Sequence, residues 1–372
     1  MVFISVQLII GITNLILMKR LDKFPKSNKH PKVSILLPAR DEEKTIENCV
    51  NSLIEQDYDN LEIIVLNDNS VDRTDEILNS IKSERLRVIV GKPLPETWLG
   101  KSWACHQLAL EASGDLFLFT DADTIYQPDT ISKAVNAMEK EKTDLITAVN
   151  HNQVKSFGEQ ITIPFIVYSI FTILPLLVAY LFPKSKSFSA ANGKFMLFRK
   201  EFYQKIGGHQ TIKESAIEDV ELARITKANG GKWRLFDVSN LITSRMYYGF
   251  SDCLQGFTKN YFALFGYKIL VALFVWCWVG LITFYPLVVV IGSIITRGYN
   301  RGFVFAGVAI IETCVLWILT SIKFRFPWHQ FLLYPITVLV SIFIGLRSMI
   351  LTIVNKTSWK GRKLKSAPIR WI

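Results

Sequence analysis

Short apolar runs alternate with stretches of helical spacing through the first third of the chain. The apolar runs predict four buried strands, at residues 33–37, 61–66, 86–90 and 116–120. Apolar positions that recur every three or four residues predict helices between them, at residues 43–55, 72–82 and 102–112. Strands that alternate with helices form a parallel sheet with crossover connections. Ligands bind such sheets outside the carboxyl ends of the strands, so polar residues there are the first candidates for a functional site.

Long apolar segments lie towards both ends of the chain. Residues 2–18 are apolar and basic residues follow them, unlike the order in a signal peptide, so we expect an uncleaved membrane anchor over residues 1–20. Three later apolar segments, at 269–292, 303–322 and 331–354, predict membrane helices within residues 268–355. The apolar run 161–182 contains two prolines, Pro164 and Pro175, which favours a broken helix lying in the membrane interface.

Charge and composition indicate where in the cell we expect the protein to be. Apolar residues make up 50% of the 372 residues and the net charge is +11, with Lys and Arg concentrated at residues 19–32 and 358–370. Both basic clusters adjoin apolar segments, so anionic lipid and the positive-inside rule explain them, and no nucleic-acid partner is expected. We expect a multi-pass protein of the cell membrane, with a cytoplasmic domain at 32–260 and a basic cytoplasmic tail at 356–372.

One part of this topology stays open. Three full crossings in the C-terminal part would place the basic tail outside, against the positive-inside rule. Either one C-terminal segment is re-entrant or interfacial, or the run 161–182 inserts into the membrane. The five cysteines have no spacing that suggests a metal site.

Two carboxylates, Asp121 and Asp123, come directly after the fourth apolar strand. A hard divalent cation prefers oxygen ligands and bridges diphosphates, so Asp123 is the candidate ligand for Mg²⁺ or Mn²⁺. Asp121 would then face a ribose. The alternative is a solvated turn at the end of the strand.

Polar residues also follow the first two strands. Asp68 follows the second strand, where a carboxylate can accept the N3–H of a uracil ring; an Asx turn that caps the next helix is the alternative. Ala39, Arg40 and Asp41 follow the first strand and would line the nucleotide pocket.

Four further candidate residues come later in the chain. Lys101 sits in Gly-Lys-Ser, but Pro95 stands where a P-loop needs glycine, so we expect a contact to phosphate or ribose, with a surface lysine as the alternative. Glu218 and Asp219 open a predicted helix at 216–228, and Asp219 is the candidate general base, unless both belong to an ordinary acidic helix face. Arg245 is a candidate cation for a leaving diphosphate.

Taken in order, these motifs resemble the inverting family 2 glycosyltransferases, over about residues 32–259. The stretches 98–104, 206–209, 217–219 and 359–362 are similar to those of membrane-bound members that glycosylate lipids, such as bacterial carotenoid glucosyltransferases, hopanoid-associated glycosyltransferases and, more distantly, ceramide glucosyltransferase. The resemblance implies an α/β GT-A fold, a Rossmann-like and mostly parallel sheet, with membrane helices at both ends. It also implies a UDP-sugar donor and a lipid acceptor.

The same resemblance implies roles for individual residues. Uridine contacts fall to Ala39, Asp41 and Asp68, the divalent cation to Asp123, and the base to Asp219, with Glu218 beside it. The expected reaction is inverting transfer of one sugar, with glucose as the expected sugar, to a carotenoid or terpenoid acid or alcohol.

Other reactions remain open. Another lipid acceptor, such as a hopanoid, ceramide, diacylglycerol or polyprenyl phosphate, would use the same donor site. A polysaccharide synthase is less favoured, since residues 255–260 lack the Arg-Trp pair that processive members carry. No Gly-x-Gly-x-x-Gly follows a strand, which excludes a Rossmann dehydrogenase.

Overall fold

The computed structural model describes residues 1–359, 362–363 and 368–372. Lys360 and Gly361, from the predicted motif at 359–362, lie outside the described residues. The chain forms two compact units. One, the sheet unit, comprises residues 18–152 and 178–246, and the other, the helical unit, comprises residues 1–17, 153–177 and 247–372.

The strands are β1 (Val33–Ala39), β2 (Leu61–Asn67), β3 (Leu86–Val90), β4 (Leu116–Phe119), β5 (Thr124–Tyr126), β6 (Leu145–Val149), β7 (His151–Asn152), β8 (Met196–Arg199), β9 (Trp233–Asp237), β10 (Ile242–Ser244), β11 (Ser358–Trp359) and β12 (Arg362–Lys363). The helices are α1 (Val2–Leu17), α2 (Ile46–Ile54), α3 (Thr74–Ser80), α4 (Gly100–Glu111), α5 (Thr130–Glu141), α6 (Phe157–Gln160), α7 (Pro164–Ile173), α8 (Leu176–Leu181), α9 (Lys200–Lys205), α10 (Glu218–Ala228), α11 (Phe250–Thr258), α12 (Ile269–Thr296), α13 (Arg301–Phe324) and α14 (Gln330–Ile353).

A seven-stranded sheet with the order β3-β2-β1-β4-β8-β6-β9 forms the centre of the sheet unit. Only β8 runs antiparallel to its neighbours in this sheet. Strands β1, β2 and β4 are almost wholly buried, which explains their continuous apolar runs, since parallel strands are covered on both faces. The prediction of four strands separated by three helices is confirmed, with boundaries shifted by a few residues at most.

The strand order determines which loops meet. β1 lies between β2 and β4, so the segments after these three strands emerge side by side at one edge of the sheet. A smaller sheet has the strand order β5-β10-β7. The candidate residues after β1, β2 and β4 therefore share one edge, as the parallel arrangement predicts.

The helical unit holds three helices long and apolar enough to cross a membrane, judged by length and composition over the described residues: α12, α13 and α14. α1 has 16 residues, about 24 Å at 1.5 Å per residue, which is shorter than a hydrocarbon core. Its role as an anchor stays a prediction. Of the predicted domain at 32–260, residues 153–177 and 247–260 belong to this helical unit, where α7 packs on α1 and α13, and α11 on α14.

The proline-containing run 161–182 forms two helices, α7 and α8, with a break at Leu174 and Pro175. Asn14 of α1 is fully buried beside the break. Its Nδ2 donates to the carbonyls of Phe171 and Leu174, each at 2.8 Å, and its Oδ1 accepts from the N–H of Leu176 at 3.1 Å. One buried amide thus satisfies backbone groups that the break leaves without helical partners. The position of this segment in the membrane interface stays a prediction.

An apolar cavity of about 210 Å³ lies within the helical unit. Side chains of α1, α7, α12, α13 and α14 line it, including Phe165, Trp278 and Val338. Tyr168 and Trp317 also line it, and their rings stack with centroids 4.2 Å apart. The lining is suited to a hydrocarbon group.

Candidate active site

The loops after β1 and β2 are tied together through their backbones and polar side chains. Nη1 of Arg40 donates to the carbonyl of Asp68 at 2.7 Å. Oδ1 of Asp41 accepts from the N–H of Val71 at 2.8 Å, and the Asp41 N–H donates to Oγ of Ser70 at 3.0 Å. Asp41 itself adopts a left-handed backbone, with φ of 51°. The structure therefore brings Arg40, Asp41 and Asp68 together beside buried Ala39.

Asn67 and Asp72 supply the two capping hydrogen bonds in the turn after β2. Oδ1 of Asn67 accepts from the N–H of Ser70 at 3.0 Å, and Oδ1 of Asp72 accepts from the N–H of Thr74 at 3.0 Å. These are the Asx-type bonds that the alternative interpretation assigned to this stretch. Asp68 is only 5% exposed. Nucleotide binding by this loop pair stays a prediction.

Lys101 joins the start of α4 to the end of β4 and the start of α10. Its ammonium lies 2.7 Å from Oδ1 of Asp121 and 2.8 Å from Oε1 of Glu218. Burial lowers the pKa of Lys101, but the charges of Asp121 and Glu218 outweigh it and hold that pKa well above its ordinary value. Lys101 therefore stays cationic at physiological pH. Its side chain is 40% exposed, so it is a surface lysine held by two carboxylates, and its contact with phosphate or ribose stays a prediction.

Gly193, directly before the entry to β8, makes room for this ammonium. A Cβ atom at position 193 would lie 2.7 Å from Nζ of Lys101 and 3.6 Å from Oδ2 of Asp121. Any larger residue at this position would displace the lysine from its two carboxylates. The need for glycine here is thus one of space, since its φ is not in the left-handed region.

Asp219 opens α10 and is held by two backbone N–H groups. The N–H of Gly193 donates to Oδ2 at 3.0 Å and that of Val220 to Oδ1 at 2.8 Å. Burial, then repulsion from Glu218, raises the pKa of Asp219 to about 7, against the opposing effects of Lys101 and the two N–H groups. A carboxylate that changes protonation near neutral pH has the acidity that a general base requires.

Asp123 has a partner that we did not predict from the sequence. Lys194 is 3% exposed and its ammonium forms an ion pair with Oδ2 of Asp123. The carbonyl of Lys194 accepts from Oγ1 of Thr120 at 3.0 Å and from the hydroxyl of Tyr126 at 2.8 Å, which fixes its backbone. The one sequence signal was a lysine directly before the apolar run that becomes β8.

The donor set at Asp123 fits a divalent cation that arrives with a diphosphate. Oδ1 of Asp123 is buried and has no hydrogen-bond partner among the described residues. Across the same residues, no cluster of three or more His, Cys, Asp or Glu side chains is suited to hold a metal. Mg²⁺ is commonly bound by one or two carboxylates together with substrate phosphates, so a single carboxylate with an unused oxygen meets the requirement.

Arg245 follows β10 in the smaller sheet. β10 pairs antiparallel with β5 and the register ends at Ser244↔Thr124, so Arg245 directly follows one residue of this last pair and Asp123 directly precedes the other. The structure therefore places Arg245 in the same region of the sheet unit as the carboxylates after β4. Its contact with a diphosphate stays a prediction.

The chain resembles known glycosyltransferases. Residues 34–207 match the family model described as glycosyl transferase family 2. The 4,4'-diaponeurosporenoate glycosyltransferase of Staphylococcus aureus (strain USA300) is 26% identical over 234 residues, which cover 62% of this chain. The alignment spans 61% of the length of that relative.

Solved structures give more distant likenesses. The mannosyltransferase PcManGT from Pyrobaculum calidifontis, in complex with GDP-Man and Mn²⁺, has 14% identity and a TM-score of 0.49, over 92% of this chain and 99% of that one. Residues 1–349 of S. aureus TarS have 17% identity and a TM-score of 0.39, over 62% of this chain and 65% of that one. The family match and the mostly parallel sheet agree with the motif series: residues 34–207 form a glycosyltransferase family 2 domain with the predicted α/β GT-A fold.

Proposed function

We propose that the chain transfers one sugar, with inversion at the anomeric carbon, from a UDP-sugar to a lipid of the cell membrane. The sugar is glucose and the acceptor is a carotenoid or terpenoid acid or alcohol. The observation that carries the proposal is the Asp219 carboxylate, held by the N–H of Gly193 beside the Asp121–Lys101–Glu218 cluster, where burial and the charge of Glu218 raise its pKa. The family 2 match and the name of the S. aureus relative support it.

Asp219 acts as the general base on a hydroxyl acceptor. It takes the hydroxyl proton while the acceptor oxygen bonds to the anomeric carbon and the bond from that carbon to the diphosphate oxygen breaks. A positioned base contributes about 10²–10⁴-fold to such a step. A carboxylate acceptor is already ionised at neutral pH, so there Asp219 would orient the acceptor rather than remove a proton.

Cationic groups balance the charge that develops on the departing UDP. Lys101 remains cationic beside Asp121, and Arg245 directly follows Ser244, which pairs with Thr124 next to Asp123. Fixed positive charges placed where negative charge develops are a major source of catalysis. Asp123 would hold the Mg²⁺ or Mn²⁺, which when bound supplies Lewis-acid stabilisation of the diphosphate.

The loops after β1 and β2 bind the uridine. Ala39 and Arg40 line the pocket with Asp41, and the Asp68 carboxylate accepts the N3–H of uracil, which favours uridine over cytidine. The tie from Arg40 to the Asp68 carbonyl supports this assignment, since it fixes the two loops relative to each other.

The helical unit receives the lipid acceptor. Helices α12, α13 and α14 have the length and composition of membrane spans, and the cavity among the helices is lined by apolar and aromatic side chains. A hydrocarbon acceptor would reach the enzyme through the bilayer, with the sheet unit on the cytoplasmic side. Another lipid with a hydroxyl or phosphate group is the alternative acceptor.

The test is a donor and acceptor scan with the full-length protein in detergent. UDP-, GDP- and dTDP-glucose and other UDP-hexoses are combined with a carotenoid acid, a hopanoid, diacylglycerol and polyprenyl phosphate, and the glycolipid is identified by mass spectrometry. We expect one UDP-sugar and one lipid class to give a singly glycosylated product. A polymeric product, or a preference for a guanine nucleotide, would contradict the proposal.

A further inference from the structure

Lys194 is a buried cation with a single counter-ion. Its side chain is 4% exposed, and among the residues that the structure describes its ammonium has Asp123 as its one hydrogen-bond and ion-pair partner. A charge held out of water requires a partner, because an unpaired buried ion is strongly unfavourable. Lys194 and Asp123 therefore neutralise each other in the chain without ligands.

Lys101 differs from Lys194 in its exposure and in the number of its carboxylate partners. Its side chain is 40% exposed and its ammonium contacts two carboxylates, those of Asp121 and Glu218. Loss of one contact would leave Lys101 paired and partly hydrated. Among the described residues, the ammonium of Lys194 has no second carboxylate partner, and its side chain is almost wholly buried. Its pairing therefore depends directly on what binds Asp123.

A divalent cation bound by Asp123 would lie close to the ammonium of Lys194. Oδ2 of Asp123 is taken by the lysine and the buried Oδ1 is unused, so the two positive charges would share one carboxylate. Like charges a few ångströms apart in a poorly hydrated site repel each other strongly. The lysine therefore opposes cation binding unless further negative charge enters the site.

We propose that Lys194 is an internal competitor of the divalent cation, which weakens cation binding at Asp123 until the diphosphate of the donor arrives. This inference rests on the proposed function, since it needs a cation and a nucleotide diphosphate at the same site. The diphosphate brings oxygen ligands for the cation and new acceptors for the ammonium. Asp123 consequently holds its cation only together with the donor, and Lys194 is a positioning residue that sets this dependence.

The test measures Mn²⁺ binding to the full-length protein without nucleotide, from the electron paramagnetic resonance signal of free Mn²⁺. Wild type is compared with Lys194→Met and with the more conservative Lys194→Gln, which keeps a polar group if the methionine variant does not fold. Lys186→Met, which removes an exposed lysine, is the matched control. We expect both Lys194 variants to bind Mn²⁺ at least about tenfold more tightly than wild type and the control, because one repelling charge is gone.

The added Mn²⁺ affinity must depend on Asp123. Combining Asp123→Asn with Lys194→Gln should abolish it. An unchanged nucleotide-free affinity in the Lys194 variants would overturn the inference.

A parallel series with UDP distinguishes a failure of this inference from a failure of the proposed function. If wild type binds Mn²⁺ with UDP through Asp123, while the Lys194 variants match wild type without UDP, only the inference fails. If no Asp123-dependent binding occurs in any sample, both the inference and the proposed cation site fail.

Discussion

The backbone N–H of Gly193 donates a hydrogen bond of 3.0 Å to Oδ2 of Asp219. The two residues approach from the entry to β8 and from the first turn of α10, which are 26 positions apart in the chain. Since backbone groups orient the carboxylate, its position does not depend on a mobile partner. Asparagine at 219 has the same shape and keeps one oxygen acceptor for these N–H groups, while it loses the ability to accept a proton.

Replacement of Asp219 by Asn should separate the two kinds of acceptor. With a hydroxyl acceptor we expect kcat/KM to fall by about 10²–10⁴-fold, the contribution of a general base. With a carboxylate acceptor the fall should be much smaller, because that acceptor carries no proton to remove. Steady-state kinetics with both lipids measure the difference, with Glu221→Gln on the same helix as control. Equal losses would rule out the role of Asp219 as a base.

The rate with a hydroxyl acceptor should rise as pH increases through about 7. Burial and then Glu218 raise the pKa of Asp219 to about 7, and only the deprotonated carboxylate acts as a base. Glu218→Gln removes the repulsion, so it should move the acid limb of the kcat/KM profile to lower pH. If the acid limb of the profile does not shift, the ionisation of another group produces it.

The same pKa shift affects stability with a defined sign. The pKa of Asp219 is higher in the folded chain than the value of about 3.9 expected when unfolded, so the folded state binds more protons between these two pH values. The contribution of Asp219 to the free energy of unfolding should therefore decrease as pH rises from about 4 to 7. Asp219→Asn should flatten this part of the pH dependence of thermal stability.

Gly193→Ala should lower activity while leaving the fold intact. The added Cβ would lie 2.7 Å from Nζ of Lys101, and the flexible lysine would move away from Asp121 and Glu218. We expect weaker UDP binding and a lower kcat, measured by calorimetry and product formation. Gly292→Ala is the matched control, since a Cβ there meets nothing within 4 Å. Wild-type behaviour of Gly193→Ala would show that the position of Lys101 is unimportant.

The sequence predicts the parts of this site that depend on local order. β1, β2 and β4 are continuous apolar runs, and parallel pairing then places Asp41, Asp68 and Asp121 at one edge. The pairing of Lys194 with Asp123 joins residues 71 positions apart, through β8, which enters the sheet antiparallel between β4 and β6. No local pattern encodes such an insertion.

In the helical unit, too, local features can be predicted from the sequence and long-range contacts cannot. Apolar runs predict α12, α13 and α14, because length and composition are local properties. The role of Asn14 could not be predicted from the sequence. A single polar residue in an apolar helix does not indicate which backbone groups, more than 150 positions later, it will bond to.

Asn14→Leu should destabilise the helical unit. The substitution leaves the carbonyls of Phe171 and Leu174 and the N–H of Leu176 without their side-chain partner, and each unsatisfied buried group costs about 1–3 kcal/mol. Thermal unfolding in detergent should show a clearly lower midpoint, whereas Ile12→Leu at an exposed position of α1 should not. An unchanged midpoint would mean that other groups replace the amide.

Removal of divalent cations should abolish transfer reversibly. Asp123 has one unused buried oxygen, which fits a cation brought in with the diphosphate. EDTA should reduce product formation to background, and added Mn²⁺ or Mg²⁺ should restore it in wild type but not in Asp123→Asn. Full activity in EDTA would show that the cationic side chains suffice.

Acceptor-dependent release of UDP, followed in parallel for wild type and Asp219→Asn, tests the central claim most directly. The purified chain receives a UDP-hexose with the divalent cation, and each lipid is added in turn. The account predicts that one lipid with a hydroxyl group stimulates UDP release by wild type, and that Asp219→Asn loses this stimulation while still binding UDP. Release that a hydroxyl lipid stimulates and that survives Asp219→Asn would contradict a lipid glycosyltransferase that uses Asp219 as its base. The absence of stimulation by any lipid, despite UDP binding, would contradict it as well.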